Sequence, residues 1–177
     1  MSSLKDIKFF ITQSHACSYL PDQNAKTLFI DPELDLTPEL NSQLSEIGFR
    51  RSGTHMYRPN CDECQQCIPC RINIQMFTFN KRFRRIINRN KDLSVSLINS
   101  IADDQYYELY ASYINTRHKD GDMYPASREQ YDSFLCERSV NTFFYEICYQ
   151  DTLLGVIVTD HLENALSAVY TFYQVTE

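Results

Sequence analysis

Few glycines, no tryptophan and no long apolar run limit what this 177-residue chain can be. The four glycines, at positions 48, 53, 121 and 155, are too far apart for a GxGxxG or Walker-type phosphate loop. The longest apolar run, LLGVIV at residues 153–158, is much shorter than the roughly 20 residues that cross a bilayer. The first residues lack an apolar signal core followed by a cleavage site. We therefore expect a cytoplasmic protein that does not bind a membrane.

Hydrophobic residues make up 43% and charged residues 23% of the chain, as in an ordinary globular protein. In the first half the apolar spacing predicts a helix, a strand and a second helix, at residues 40–47, 71–78 and 81–90. Asn80 is expected to cap the second helix, with Phe83, Ile86 and Ile87 on its inner face.

The second half predicts a more regular order of elements. The expected strands are residues 93–98, 142–149, 153–160 and 165–173, and the last three are spaced like an antiparallel meander. A helix starting at Asp103 or Asp104 carries a tyrosine stripe that is typical of a core, and a second helix runs from Ser127 to about Arg138. The prediction is an α+β protein with a cysteine-rich module at 1–90 and a second domain at 91–177.

Positive charge is concentrated in one stretch of an acidic protein. Residues 50–91 contain ten Lys or Arg and two acidic residues, a net +8, whereas the remaining residues have a net charge of −14. Aromatic residues are interleaved with this charge. The pattern indicates a surface that binds nucleic-acid phosphates, and the alternative is a solvated basic helix.

Four of the seven cysteines form a run with two-residue spacing, Cys61, Cys64, Cys67 and Cys70. Thiolates at this spacing bind zinc or an iron–sulfur cluster. Spacing alone does not decide whether the fourth ligand is Cys70 or the distant Cys17. The alternative is a turn with four reduced thiols, since disulfides are rare in the cytoplasm.

Six separated motifs together resemble one known family. They are CSYLP at 17–21, GFRRSG at 48–53, YRPxCxxCxxC at 57–67, RHxxGxM at 117–123, LGV to Asp at 154–160, and LSAVYTFY at 166–173. The family is the aminoacyl-tRNA–protein transferases of the N-degron (N-end rule) pathway. The CSYLP motif is similar to the bacterial branch, the aspartate/glutamate leucyltransferases, rather than to the arginyl enzymes.

The resemblance implies an enzyme that transfers leucine from leucyl-tRNA to proteins whose first residue is Asp or Glu. It also implies that the second domain has an acetyltransferase-like (GNAT-like) fold, and that no cofactor is required for the chemistry. Members of the family continue for several dozen residues past the LSAVYTFY strand, so we expect this domain to be incomplete. The alternatives are an inactive tRNA- or metal-binding remnant and arginyl transfer. A small-molecule N-acetyltransferase is disfavoured because no phosphate loop is present.

The chemistry of these substrates suggests which side chains are used. An acidic N-terminal residue calls for a guanidinium, and the candidates are Arg71, ranked first, Arg50 and Arg51. The candidates for binding tRNA phosphates are Lys81, Arg82, Arg84, Arg85 and Arg89. Tyr57 and His118 are the candidates for orienting the amine or the ester. No catalytic base or oligomeric state is assigned.

Overall fold

Antiparallel sheets and helices alternate along the chain, so the expected α+β class is confirmed. The structure is a computed structural model that describes residues 7–137 and 141–175. Within these ranges there are two four-stranded sheets and one two-stranded sheet. No helix in this part of the chain is both long and apolar enough to cross a membrane.

The first sheet has the strand order β1-β4-β6-β5. Its strands are β1 (Phe9–Ile11), β4 (Thr27–Ile30), β5 (Arg50–Ser52) and β6 (His55–Pro59), and the small sheet pairs β2 (His15–Ala16) with β3 (Asn24–Ala25). Helix α1 (Pro38–Glu46) begins where the Oγ1 of Thr37 accepts a hydrogen bond from the Leu40 amide. Leu40 and Leu44 of α1 are buried with Met56 in a first core.

Helix α2 (Lys81–Arg89) lies where the sequence predicts it, but its environment differs. The Oδ1 of Asn80 accepts from the Phe83 amide at 3.0 Å, which confirms the predicted cap. However, no residue of α2 is buried, so the expected inner face of Phe83, Ile86 and Ile87 is wrong. The Phe77 and Phe79 rings contact Phe83, but this side of the helix stays open, with Phe83 39%, Ile86 44% and Ile87 49% exposed.

The strand predicted at residues 71–78 is also wrong. No strand is present in this segment. The Oδ1 of Asn73 accepts from the amides of Gln75 and Met76, at 3.0 and 3.3 Å, and closes a turn in the middle of it. Asparagine favours such turns because its side chain can replace a backbone acceptor. The alternation of apolar residues therefore has no neighbouring strand to pair with.

The second sheet has the order β10-β9-β8-β7 and confirms the predicted meander. Its strands are β7 (Leu93–Ile98), β8 (Thr142–Tyr149), β9 (Thr152–His161) and β10 (Leu166–Tyr173). The helices between β7 and β8 are α3 (Asp104–Arg117) and α4 (Arg128–Tyr131), and one π-helical turn, Asp132–Cys136, continues α4. The predicted end of this helix, Arg138, lies outside the described residues.

The tyrosine stripe of α3 is core, as expected. Tyr106, Tyr110 and Tyr113 are buried against Phe144 of β8 and Phe172 of β10. This second core lies within residues 101–172, and the first core lies within residues 7–56. The domain boundary near residue 90 stays a prediction.

Candidate functional site

A buried ion pair joins the two halves of the chain. The Nε and Nη2 of Arg51 donate to the two carboxylate oxygens of Asp160 at 2.6 and 2.9 Å, and both side chains are 2% exposed. The Nη1 of Arg51 donates to the Gly53 carbonyl, and the hydroxyl of Thr142 donates to Asp160. All three guanidinium nitrogens are therefore engaged. This corrects the expectation that Arg51 binds a substrate carboxylate, because no face of it is open.

The turn beside this ion pair is closely packed against the second half. Gly53, with a φ of +57°, follows Arg51 in the β5–β6 turn. A Cβ atom at this position would lie 2.6 Å from the backbone oxygen of Ser133 in the π-helical turn. Glycine is thus required both by the backbone conformation and by the close approach. The GFRRSG motif fixes how the first sheet meets the second half.

The CSYLP loop, residues 17–21, contacts two other regions. The hydroxyl of Ser18 donates to the Oδ2 of Asp122 at 3.2 Å, which connects this loop to the RHxxGxM motif. On its other side, a depression of about 350 Å³ is lined by Leu20 and Pro21 together with Glu63 and Cys64. Motifs that are far apart in sequence are therefore brought together around this loop.

The RHxxGxM motif in turn packs against the LSAVYTFY strand. The hydroxyls of Tyr110 and Tyr170 both lie 3.7 Å from the sulfur of Met123. Burial raises the pKa of Tyr110 to about 12 and also raises the pKa of Tyr170. These hydroxyls are protonated at neutral pH, and Tyr170 belongs to the second core.

His118 lies at the end of α3. Its backbone N–H donates to the Ile114 carbonyl at 2.9 Å, and its exposed ring meets the Tyr113 ring edge-on at a centroid distance of 4.9 Å. Tyr113 also contacts Tyr173 at 4.9 Å. His118 thus caps the end of α3 through its backbone and exposes its imidazole ring to solvent.

Arg50 and Tyr57 lie opposite each other on β5 and β6. Burial is the largest effect on the pKa of Tyr57 and raises it, the nearby Tyr19 adds to this, and Arg50 opposes it through its charge and a hydrogen bond. Arg50 is exposed, unlike its neighbour Arg51. The pair places a partly buried hydroxyl beside an exposed guanidinium.

Arg71 lies against the end of α1. Its Nη2 donates to the Glu46 carbonyl, and the side chain remains exposed. The Nη1 of Arg58 donates to the next carbonyl, that of Ile47, at 3.3 Å. These cations satisfy carbonyl groups that the helix end leaves without intrahelical partners. Arg71 still has guanidinium N–H groups directed to solvent.

The five cysteines proposed as metal ligands do not converge. Among residues 7–137 and 141–175, no group of three or more His, Cys, Asp or Glu side chains is placed to hold a metal ion. All five thiols are free, and the Sγ of Cys61 lies 3.9 Å from the Lys26 carbonyl. The arrangement does not fit a tetrahedral ion or a cluster, which needs ligand sulfurs around one point. A structural zinc ion or iron–sulfur cluster stays a prediction.

The basic residues of α2 are all exposed. They are Lys81, Arg82, Arg84, Arg85 and Arg89. The Nε of Arg84 donates to the Phe79 carbonyl at 3.0 Å, which holds this guanidinium at the start of the helix. An exposed helix with five cations on its surface is suited to binding several phosphates.

Asp160 and Asp122 are two residues of this arrangement that the sequence analysis did not assign. Asp160 follows the apolar residues of β9 and is itself 2% exposed. An acidic residue inside an apolar strand is a signal for a buried ion pair, because an unpaired charge is costly there. Its partner could not be read from the sequence, since 109 residues separate the two. Asp122 lies in a polar loop and gave no such signal.

Comparison with known proteins defines the class. The N-terminal family model of arginine-tRNA-protein transferases matches residues 15–85, and the C-terminal model matches residues 105–177. The structure brings the motifs in these two ranges into contact through Ser18 and Asp122 and through Arg51 and Asp160. The chain is thus of the arginine-tRNA-protein transferase class.

Comparison along the whole chain identifies the branch of this class to which the protein belongs. Two proteins named aspartate/glutamate leucyltransferase align with all 177 residues of this chain. The one from Stutzerimonas stutzeri (strain A1501) is 50% identical to it, and the one from Pseudomonas entomophila (strain L48) is 48% identical. The one from Alcanivorax borkumensis (strain ATCC 700651 / DSM 11573 / NCIMB 13689 / SK2) is 49% identical over 176 residues, which are 99% of this chain and 73% of that protein. The chain belongs to the aspartate/glutamate leucyltransferase family, and it spans about 75% of the length of the first two relatives.

Proposed function

We propose that this chain transfers leucine from leucyl-tRNA to the N-terminal Asp or Glu of proteins and so marks them for degradation through the N-degron pathway. The observation that carries the proposal is the 48–50% identity to aspartate/glutamate leucyltransferases along the whole chain. The motif contacts support it, because the Ser18–Asp122 and Arg51–Asp160 pairs each connect segments more than 100 residues apart.

The reaction is an acyl transfer from an activated ester to an amine. The α-amine of the acceptor protein attacks the ester carbonyl of leucyl-tRNA, a carbon–nitrogen bond forms, and the bond from the carbonyl carbon to the ribose oxygen breaks. The amine loses a proton and the ribose oxygen gains one. Because an α-amine has a pKa near 7.7–8.0, a substantial fraction is neutral at cellular pH. Positioning of the two substrates therefore supplies most of what the reaction needs.

The acidic side chain of the acceptor is assigned to exposed arginines. Arg50 is now the first choice, because its guanidinium is exposed beside the Tyr57 hydroxyl. Arg71, which is also exposed and binds the Glu46 carbonyl through one N–H group, is the second choice. Tyr57 and His118 are the groups proposed to orient the amine or the ester. A bidentate guanidinium–carboxylate contact explains a preference for Asp and Glu over their amides.

We infer that the phosphates of leucyl-tRNA bind the five basic residues of α2. We also infer that residues 1–90 and 91–177 are separate modules and that the second is acetyltransferase-like. The element order β7-α3-α4-β8-β9-β10 supports this, since it has the strand–helix–helix–three-strand order expected of the first half of such a fold.

The test is a transfer assay with purified chain and leucyl-tRNA labelled in its leucine. Acceptor peptides begin with Asp, Glu, Asn or Gln and are otherwise identical. We expect labelled peptide with Asp and Glu alone, and none after acetylation of the peptide amine. Arginyl-tRNA is the parallel donor, because the matching family models are named for arginine. Transfer of arginine but not leucine, or binding of leucyl-tRNA without any transfer, would overturn the proposal.

A pair of variants tests the carboxylate assignment in the same assay. Arg50→Ala should lower transfer to the Asp peptide strongly and reduce its advantage over the Asn peptide. Arg58→Ala is the matched control, because Arg58 is another arginine near the end of α1 but binds a backbone carbonyl and lies over the Phe49 ring. Equal loss with both variants would remove Arg50 from the acceptor site.

A further inference from the structure

Three phenylalanines form an aromatic cluster at the start of α2. The ring centroids of Phe77 and Phe79, and of Phe77 and Phe83, are 5.3 Å apart, and those of Phe79 and Phe83 are 6.4 Å apart. The cluster belongs to neither core, and Phe79 is 50% exposed and Phe83 39% exposed. Exposed aromatic rings in mutual contact indicate a surface that binds a partner.

The cluster is held in place by the start of the helix. The Oδ1 of Asn80 accepts from the Phe83 amide, and the Nε of Arg84 donates to the Phe79 carbonyl, both at 3.0 Å. Phe77 and Phe83 meet the Phe79 ring at 87° and 89°. Phe79 is therefore an oriented, half-exposed ring with the Arg84 side chain anchored next to it.

The charge of this segment indicates which partner fits. No acidic residue occurs from residue 64 to 91, whereas seven basic residues do. None of the nine residues of α2 is buried, and isolated helices of this length are marginal in water. The missing stabilisation is thus expected from a polyanion that also offers flat apolar groups. Single-stranded nucleic acid has both properties, because its phosphates bind cations and its unpaired bases stack on aromatic rings.

We propose that the Phe77–Phe79–Phe83 cluster binds the unpaired 3′-terminal nucleotides of the tRNA by stacking, with Phe79 as the ring that a base contacts. This inference rests on the proposed function, which makes tRNA the donor substrate. The paired stem of a tRNA hides its base faces, so only its unpaired nucleotides can stack. The 3′ end carries the aminoacyl ester, so its binding at the cluster positions the ester relative to the basic helix.

The first test measures RNA binding without any transfer chemistry. Two labelled RNA hairpins share an acceptor-stem sequence, and one ends in an unpaired 3′ tail whereas the other is blunt. We expect the protein to bind the tailed hairpin more tightly, and Phe79→Ala to weaken this binding by about 5- to 150-fold while changing blunt-hairpin binding little. Phe79→Tyr should retain tail binding, whereas Phe79→Leu should not. Ile74→Ala is the control, because Ile74 is an 83% exposed apolar residue in the same segment.

A second test reports stacking directly. The chain contains no tryptophan, so Phe79→Trp introduces a single indole. A base stacked on this indole should quench its fluorescence when the tailed hairpin is added, and the blunt hairpin should not. Ile74→Trp, with its indole at an 83% exposed position that is not one of the three clustered rings, should show no such difference. Circular dichroism of each variant verifies that folding is unchanged.

Three outcomes would overturn the inference. Equal binding of tailed and blunt hairpins by the unmodified protein would show that the cluster does not recognise unpaired bases. Full recovery by Phe79→Leu would show that apolar packing rather than stacking is needed. Phe79-dependent binding to anionic lipid vesicles, with no tail preference in RNA, would make the amphipathic segment a membrane contact. Because the hairpins carry no amino acid, a tail preference without leucine transfer would contradict the proposed function alone.

Discussion

The two buried cores of this protein are filled with different side chains. The buried members of the first are Ile7, Leu28, Ile30, Leu40, Leu44, Phe49 and Met56, and tyrosine is absent from them. The second contains Tyr106, Tyr110, Tyr113 and Tyr131 among its buried members. The buried hydrophobic residues of the first core therefore carry no hydroxyl group, whereas the second core also depends on where four tyrosine hydroxyls find partners.

Two of the tyrosine hydroxyls of the second core donate hydrogen bonds to oxygen acceptors. Tyr131 donates to the Ile101 carbonyl at 2.6 Å, and Tyr106 donates to the Oε2 of Glu146 at 3.0 Å. Each bond links a helix of the second core to a residue 30 or 40 positions away in the sequence. Since a buried hydroxyl without a partner is costly, these bonds specify one packing arrangement. They also make the second core sensitive to the protonation state of tyrosine.

Alkaline pH should therefore destabilise the second core more than the first, and this is the largest difference that we expect between them. Burial raises the pKa of Tyr106 and of Tyr110 from 10 to about 12, and it raises that of Tyr131 as well. The folded state favours the protonated hydroxyls, so their stabilisation is complete below pH 10 and is lost as the pH rises toward 12. We expect a loss of about 2 kcal/mol for each of Tyr106 and Tyr110 by pH 12. Urea unfolding across this pH range measures it.

A single substitution tests the origin of this loss. Tyr110→Phe removes the ionisable hydroxyl and only a 3.7 Å contact with the Met123 sulfur. Its stability should fall less between pH 10 and 12 than that of the unmodified protein. Tyr149→Phe is the control, because it removes a tyrosine hydroxyl at a 43% exposed position outside the second core. An unmodified protein that is as stable at pH 12 as at neutral pH would contradict the tyrosine account.

The ion pair between the cores gives the next largest expected effect. Arg51→Met leaves the Asp160 carboxylate buried and without its guanidinium, which should reduce the free energy of unfolding by about 3–5 kcal/mol. Arg50→Met is a matched control one residue away, since Arg50 is exposed, and its effect should stay within about 0.5 kcal/mol. Denaturant unfolding of both variants measures the difference. Equal stability of the two variants would show that the Arg51–Asp160 ion pair contributes nothing to the free energy of unfolding.

Arg50 and Arg51 also show what the sequence could and could not predict. Both lie in the GFRRSG motif, and both were candidates for the acceptor carboxylate. Side chains alternate along β5, so one of the two arginines faces solvent and the other faces the second half of the chain. Only the position of Asp160 determines which of them is buried. The helices and the meander followed from local periodicity, which tertiary contacts then satisfied. The pairing of Arg51 with Asp160 depends on packing between segments 109 residues apart.

Residues 71–90, between the two cores, show a second reason why prediction from the sequence fails. The apolar residues of 71–78 alternate as in a strand, yet Asn73 forms a turn there and the segment contains no strand. Periodicity predicts what an element would bury, but it does not supply the surface that would cover it. The same holds for α2, whose cap was predicted correctly and whose buried face was not. Cysteine spacing likewise predicts a ligand set that the described side chains do not assemble.

Because α2 contributes to neither core, changing its charge should affect RNA binding and not stability. Arg84→Glu combined with Arg85→Glu should remove about two phosphate contacts. We expect the slope of log affinity for tRNA against log salt concentration to become shallower by about 2, with tens-of-fold weaker binding at low salt. Titrations of labelled tRNA at several salt concentrations measure the slope.

The control for this prediction has the same net charge but a different location. Lys8→Glu combined with Lys119→Glu reverses two exposed lysines outside residues 50–91 and should leave the salt slope nearly unchanged. If both double variants weaken binding equally, tRNA responds to the overall charge of the protein. The basic helix would then lose its assigned role.

The smallest expected effect concerns the cap of α2. Asn80→Ala removes the acceptor of the Phe83 amide hydrogen, which costs a helix about 1 kcal/mol, whereas Asn80→Ser should preserve most of the cap. Since α2 has no buried residue, this loss should appear as roughly fivefold faster amide hydrogen exchange within α2, with the denaturant midpoint of the whole protein unchanged. A matching drop in global stability would instead mean that α2 unfolds together with the cores, and the separation between packed cores and an exposed RNA-binding segment would no longer hold.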